Sequence, residues 1–184
     1  MALKFTTSYL EDSLTLFAYY KKLAERAMDQ LTDEQLFATL DGEANSIAII
    51  VKHMSGNMLS RWTDFLTTDG EKPTRNRDGE FQILEGDSRE RLMAAWQEGF
   101  SAVFSTLESL SEADLDKTVT IRGEQHTVRQ AALRSLTHTV YHVGQILYVS
   151  RLVCPERKWL TIAPGQSRTW SGNYLSDEKS ARRL

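Results

Sequence analysis

Through most of this 184-residue chain, apolar residues recur at the alternating three- and four-residue spacing of an α-helix. That repeat restricts the fold more than any other feature. From Ser8 to Leu31 the buried stripe reads Leu10, Leu14, Phe17, Ala24, Met28 and Leu31, with Lys21 interrupting it as a lysine whose head reaches solvent. The segment "LTDEQLFATLDGEAN" reads as a loop with a short turn of helix. After it, Asn45 or Ser46 caps a second helix that runs to about Thr68. A third helix starts at the capping hydroxyl of Ser88 and continues to about Leu110. A fourth spans about Val128 to Val153, directly after "TVTIRGEQHTV", whose β-branched residues on both sides of Gly123 suit a small hairpin.

Between the second and third helices, residues 67 to 88 hold three glycines, one proline and many charges with no sustained period. A connection this long inside a compact domain is either functional or a crossover between non-adjacent elements. After Pro155 the period is lost, but Trp159 and Trp170 are too apolar for a solvated segment, so this tail is expected to lie against the helices. The resulting expectation is an all-α four-helix bundle with a long connection between helices two and three, a small hairpin before helix four and an ordered C-terminal tail. One domain covers residues 1–175, and 176–184 form a mobile polar tail.

The bulk numbers bear mainly on what is excluded. A net charge of −3, with both signs interspersed, offers no basic field for nucleic acid. The one cysteine, Cys154, rules out an intrachain disulfide. No apolar run is long enough to span a bilayer and no signal peptide is visible, so the expected location is the cytoplasm, with no membrane partner.

The chemistry concentrates in "LTHTVYHVGQILY", which places His138 and His142 four positions apart in a run without proline. On a helix both imidazoles share one side. Around helix four they fall in a sector with Ala131, Ser135, Gln145 and Val149, beside an apolar sector of Leu133, Leu136, Val140, Val143 and Leu147; the solvent-facing wedge lies near Gln130, Thr137, Gly144 and Arg151. On helix two, His53 is aligned with Ile49, Ile50, Gly56, Asn57, Ser60 and Asp64. Small residues such as Gly56 and Ser60 stand where a plain core helix carries Leu or Val, and they leave room beside the imidazole. A buried imidazole left without a partner costs about 1–3 kcal/mol, and a shared divalent ion satisfies three at once. Three histidines with remaining positions open is the pattern of a reactive metal site. The competing reading gives each imidazole its own carbonyl or carboxylate, with Asp64 one candidate.

Other residues are weaker candidates. Asn57 and Gln145, each one turn from a histidine, can orient an imidazole or a bound water. Asp78 and Glu80 in "RDGEF" can serve as a general base if the long connection folds over the site. Arg75 and Arg77 can bind an anionic substrate. Cys154 lies twelve residues beyond His142, about 18 Å along a helix, and is not a ligand. His126, in the hairpin, is read as a surface or helix-entry residue. Trp62, Trp96, Phe100 and Phe104 are read as core aromatics.

A histidine in helix two, a long connection and then "HTVYHVGQI" in helix four resembles the DinB/YfiT-like superfamily of metal-dependent enzymes. The segments "HMSGNMLSRWTDFLTTDGEKPTRNRDGEF", "HTVRQAALRSLTHTVYHVGQI" and "LTIAPGQS" resemble a branch of it known mainly as a domain of unknown function. The resemblance covers roughly residues 8 to 175. It implies a dimeric four-helix bundle holding a divalent ion such as nickel or zinc on His53, His138 and His142. Some relatives use a low-molecular-weight thiol as transferases or isomerases; no thiol-binding motif can be matched here. Helix four is apolar over more than half its circumference, which with the resemblance points to a homodimer. The functional expectation is a metal-dependent enzyme that activates a thiol or water towards a small-molecule substrate. A non-catalytic metal-binding module and a stress-associated bundle with merely packed histidines are the alternatives.

Overall fold

The computed structural model describes residue 3 and residues 5–169. Trp170, Gly172 and the polar tail expected at 176–184 lie outside the described residues. Five α-helices are present among the described residues: α1 (Tyr9–Met28), α2 (Asp33–Phe37), α3 (Ile47–Trp62), α4 (Arg89–Ser109) and α5 (Val128–Val153). Strands β1 (Thr118–Ile121) and β2 (Glu124–Thr127) form an antiparallel hairpin, with Thr118 opposite Thr127 and Ile121 opposite Glu124. The architecture is an all-α bundle in which α3 packs chiefly on α4, α1 on α5, and α3 also on α5. No helix among the described residues is long and apolar enough to cross a membrane.

Side-chain caps set the helix starts. Ser8, Ser46 and Ser88 accept the backbone N–H three residues on, at 3.2, 3.2 and 3.4 Å. Thr127 and Gln130 form a reciprocal capping box at the start of α5, which couples β2 to the helix without a loop. At the hairpin, Arg122 and Gly123 both take left-handed backbone, φ 57° and 77°, as a two-residue turn matched to strand twist requires.

Two helix ends differ from the periodicity. α1 stops at Met28 rather than Leu31, although Leu31 is still buried. α3 stops at Trp62 rather than near Thr68. There Thr63 is extended and Asp64 is left-handed at φ 48°, which brings Phe65 back to stack on Trp62 with ring centres 4.8 Å apart. Burial of that aromatic pair outweighs continuation of the helix.

The core is continuous, with Phe17, Trp62, Trp96 and Phe100 almost wholly enclosed. Lys21 forms a 2.5 Å ion pair with Glu25. The tail to residue 169 follows the bundle: Leu160 is buried, Arg157 Nη2 donates to the Leu147 carbonyl at 2.8 Å, and the Arg151 guanidinium lies over Trp159. Cys154 is a buried free thiol at the end of α5.

The long connection is bound to its surroundings. Ser60 Oγ donates to the Gly70 carbonyl at 2.8 Å and accepts from Lys72 N at 3.0 Å. Asp69 accepts from the backbone N–H of Glu71, Arg122 and Gly123 at 2.7, 2.8 and 2.8 Å, joining the connection to the hairpin turn. Lys52 on α3 donates to the Gln82 carbonyl and pairs with Asp87. Ser60 thus anchors the connection and does not leave room at the histidines.

Candidate metal centre

His53 projects from α3, and His138 and His142 project from α5, one turn apart. Each offers one ring nitrogen, and these atoms all lie within 4.8 Å of one another. His138 Nε2 is 3.2 Å from His53 Nε2 and 3.1 Å from His142 Nε2. His53 is buried and the other two are half-buried.

The opposite ring nitrogens decide what the facing ones can do. His53 Nδ1 is 3.0 Å from Glu80 Oε2. An ionised carboxylate only accepts, so the proton sits on Nδ1 and Nε2 presents a lone pair. Burial pushes the Glu80 carboxyl up, but hydrogen bonds from Arg75 and His53 outweigh it and hold the carboxyl below the ordinary range. His142 Nδ1 lies 2.7 Å from Gln145 Oε1, which fixes the same tautomer, and Gln145 Nε2 donates to the Tyr141 hydroxyl. Burial lowers the pKa of His138 to about 3, with His142, His53 and nearby arginines adding in the same direction. His142 is also lowered, again chiefly by burial.

Two lone pairs therefore converge on a third imidazole that resists protonation. A divalent cation fits that donor set, because neutral imidazoles backed by a carboxylate and an amide are oriented ligands. The three nitrogens come from two helices and leave further coordination positions open.

Glu80 reaches His53 from a short 3-10 turn, Asp78–Phe81, in the long connection. Its carboxylate is held by Arg75 through Nε and Nη2, both at 2.7 Å. With both oxygens engaged behind His53, Glu80 supports that imidazole rather than reaching over the site as a base. Gly56 makes this possible: a Cβ there would lie 2.3 Å from Glu80 Oε1. The space at Gly56 thus belongs to the carboxylate, not to a ligand of the ion. Asp78 is exposed and starts the turn. Arg75 is committed to Glu80 and, at 4% side-chain exposure, is not available to a substrate.

A cavity of about 520 Å³ opens beside His53 and His138. Its apolar lining comprises Trp62, Phe65, Ile121 and Ala131, and its polar lining includes Asn57, Tyr141 and the arginines 61, 77, 122 and 134. Asn57 makes no hydrogen bond to the three imidazoles. His126 pairs with Val119 across the hairpin, and its Nε2 is 3.3 Å from Arg134 Nη1, apart from the triad. Sequence reasoning missed Arg61 and Arg134, though helical spacing carried the signal. His53, Asn57 and Arg61 are successive i, i+4 positions on α3, and Arg134, His138 and His142 are the same on α5. The role of Arg122, by contrast, depends on tertiary folding of the hairpin.

The fold and site define a helical bundle with a three-histidine centre at the mouth of an arginine-lined cavity. The chain belongs to the family described as protein of unknown function DUF1572, whose family model matches residues 4–166. A search of curated proteins gave no match.

Proposed function

We propose that this protein is a DinB/YfiT-like metal-dependent enzyme, with a divalent ion, nickel or zinc, held by His53, His138 and His142. The single observation that carries the reading is the convergence of three Nε2 atoms, two of them forced to present lone pairs by Glu80 and Gln145. When bound, such an ion supplies Lewis acidity and lowers the pKa of a coordinated thiol or water. The chain's own residues do the rest. Glu80 and Gln145 fix the imidazoles, Trp62 and Phe65 give the adjoining cavity an apolar lining, and Phe81, its ring centre 4.9 Å from that of His53, packs against that imidazole. A cavity beside the centre favours turnover over storage, since a sequestering site has no use for 520 Å³ of adjacent space.

We further propose that it works as a homodimer in the cytoplasm. Leu133, assigned by periodicity to an apolar sector, is 52% exposed, and Tyr141, Tyr148 and Leu152 continue an exposed stripe along α5. A second copy would cover that stripe.

The test is metal analysis of purified protein and of His53→Ala, His138→Ala and His142→Ala, followed by a panel of thiols and electrophiles. About one ion per chain in the parent, strongly reduced in each variant, supports the reading. Full occupancy in all three variants refutes it. Metal binding with no activity against any thiol or water-dependent substrate leaves a non-catalytic metal-binding protein.

A further inference from the structure

A three-histidine centre does not by itself name a substrate, and the cavity wall narrows the choice. Four guanidinium groups, those of Arg61, Arg77, Arg122 and Arg134, line the cavity and no carboxylate does. The chain as a whole has a net charge of −3, so this is a local concentration of positive charge and not a general property of the surface.

The nearest carboxylates offset only part of it, through Glu71. Glu80 is consumed by Arg75 and His53. Glu71 forms 3.0 Å bonds with Arg61 Nη2 and Arg122 Nε, while Arg77 Nε, at 3.9 Å, is beyond hydrogen-bond reach. Asp69 is turned to backbone N–H groups. Arg61 Nη1 is buried with no hydrogen-bond partner, in a side chain only 11% exposed. That nitrogen packs beside Gly70, out of a ligand's reach, so Arg61 contributes charge to the cavity and not a contact. Arg77 stands at the open side, with its side chain 45% exposed. The stacked pair Trp62 and Phe65 lines the same cavity.

Building on the proposed metal centre, we infer that the cavity takes a small organic anion, its apolar body against Trp62 and Phe65 and its charged head held by Arg77 and Arg134. A nonpolar molecule would leave Arg77 and Arg134 without an anionic partner. A cation would meet four guanidiniums offset only by the carboxylate of Glu71.

Calorimetric titration with benzoate and with benzamide, which match in shape and differ in charge, tests this on protein of measured metal content and on metal-free protein. Benzoate is expected to bind about tenfold more tightly than benzamide in both forms, one charge-assisted contact's worth. Arg77→Gln and Arg134→Gln are each expected to weaken benzoate roughly three- to tenfold while leaving benzamide binding and helical circular dichroism unchanged. Arg129→Gln, also on α5 but outside the cavity, is the control and leaves benzoate binding unaltered. Equal binding of the two probes, no benzoate binding up to about 10 mM, or benzoate binding untouched by both arginine variants overturns the inference. Failure of the metal reading is distinguishable. A protein that takes up no ion but shows arginine-dependent benzoate binding keeps the anion site and loses the metal centre, whereas bound metal without charge preference does the reverse.

Discussion

Gly56→Ala sets local preference against tertiary structure. Gly56 lies inside α3, where alanine favours the helix by about 1 kcal/mol. A Cβ there would meet Glu80 Oε1 at 2.3 Å, Cδ at 2.8 Å and Cγ at 3.3 Å, so the carboxyl end must retreat by about 1 Å to reach ordinary contact. It is not free to do so: Arg75 holds both oxygens at 2.7 Å and His53 Nδ1 holds one at 3.0 Å. A 1 Å retreat breaks at least one of these charge-assisted bonds, each worth about 1.5–3 kcal/mol. After the gain in helix propensity, the net expectation is a loss of about 0.5–2 kcal/mol. Released from Glu80, His53 loses its fixed tautomer, and metal affinity falls roughly 10–100-fold. Urea unfolding of the metal-free protein measures the first quantity, and competition with a chromophoric chelator measures the second. Glu80→Gln serves as a companion, because it keeps the shape and removes the charge. An alanine variant that is about 1 kcal/mol more stable than the parent and binds metal equally well would refute the argument that Gly56 exists to admit Glu80.

Chelation is expected to leave helical circular dichroism intact and lower the melting temperature only by ligand linkage, because the apolar core is continuous without the ion; loss of the helices on chelation would make the ion a fold-holding element. In the metal-free protein, His138 titrates near 3 folded and near 6.5 unfolded, so above about pH 6.5 it contributes nothing to pH dependence. As pH falls from there towards 3 the unfolded state binds the proton first and stability declines, with His142 acting in the same sense. Urea midpoints measured between about pH 7 and 5 should fall in the parent and less in His138→Gln, and equal slopes would contradict this. Light scattering should give a dimer at tens of micromolar and a monomer for Leu133→Glu; an unchanged dimer would move the interface away from the α5 stripe.

Much of the bundle was legible because its signals are local. Ser46, Ser88 and Thr127 act as caps within three residues of themselves, and α5 occupies the span its apolar repeat marks. The end of α3 was not, because stacking of Phe65 on Trp62 is tertiary and helix propensity does not register it. At the site, the three histidines were legible from their spacing on two helices. Glu80 was named for a different task, since its approach to His53 depends on a gap at Gly56 and on Arg75, which come together only when the connection lies along α3. Leu133 was legible as part of an apolar sector, but its 52% exposure was not, because periodicity does not say whether a neighbour covers the sector. Arg61 and Arg134 were within reach of the same helical spacing that revealed the histidines.

Asp69 fastens the connection to the hairpin through the backbone amides of Arg122 and Gly123, so Glu71, Arg77 and Arg122 belong to one stitched flap, while the imidazoles stand on helices. Arg61 and Arg134 of the same cavity stand on those helices, and Glu80, which orients His53, comes from the connection. Recognition and ion holding are therefore interlocked: an exchange of the connection would alter both the molecule that is recognised and the setting of His53, and the connection and the helices must diverge together.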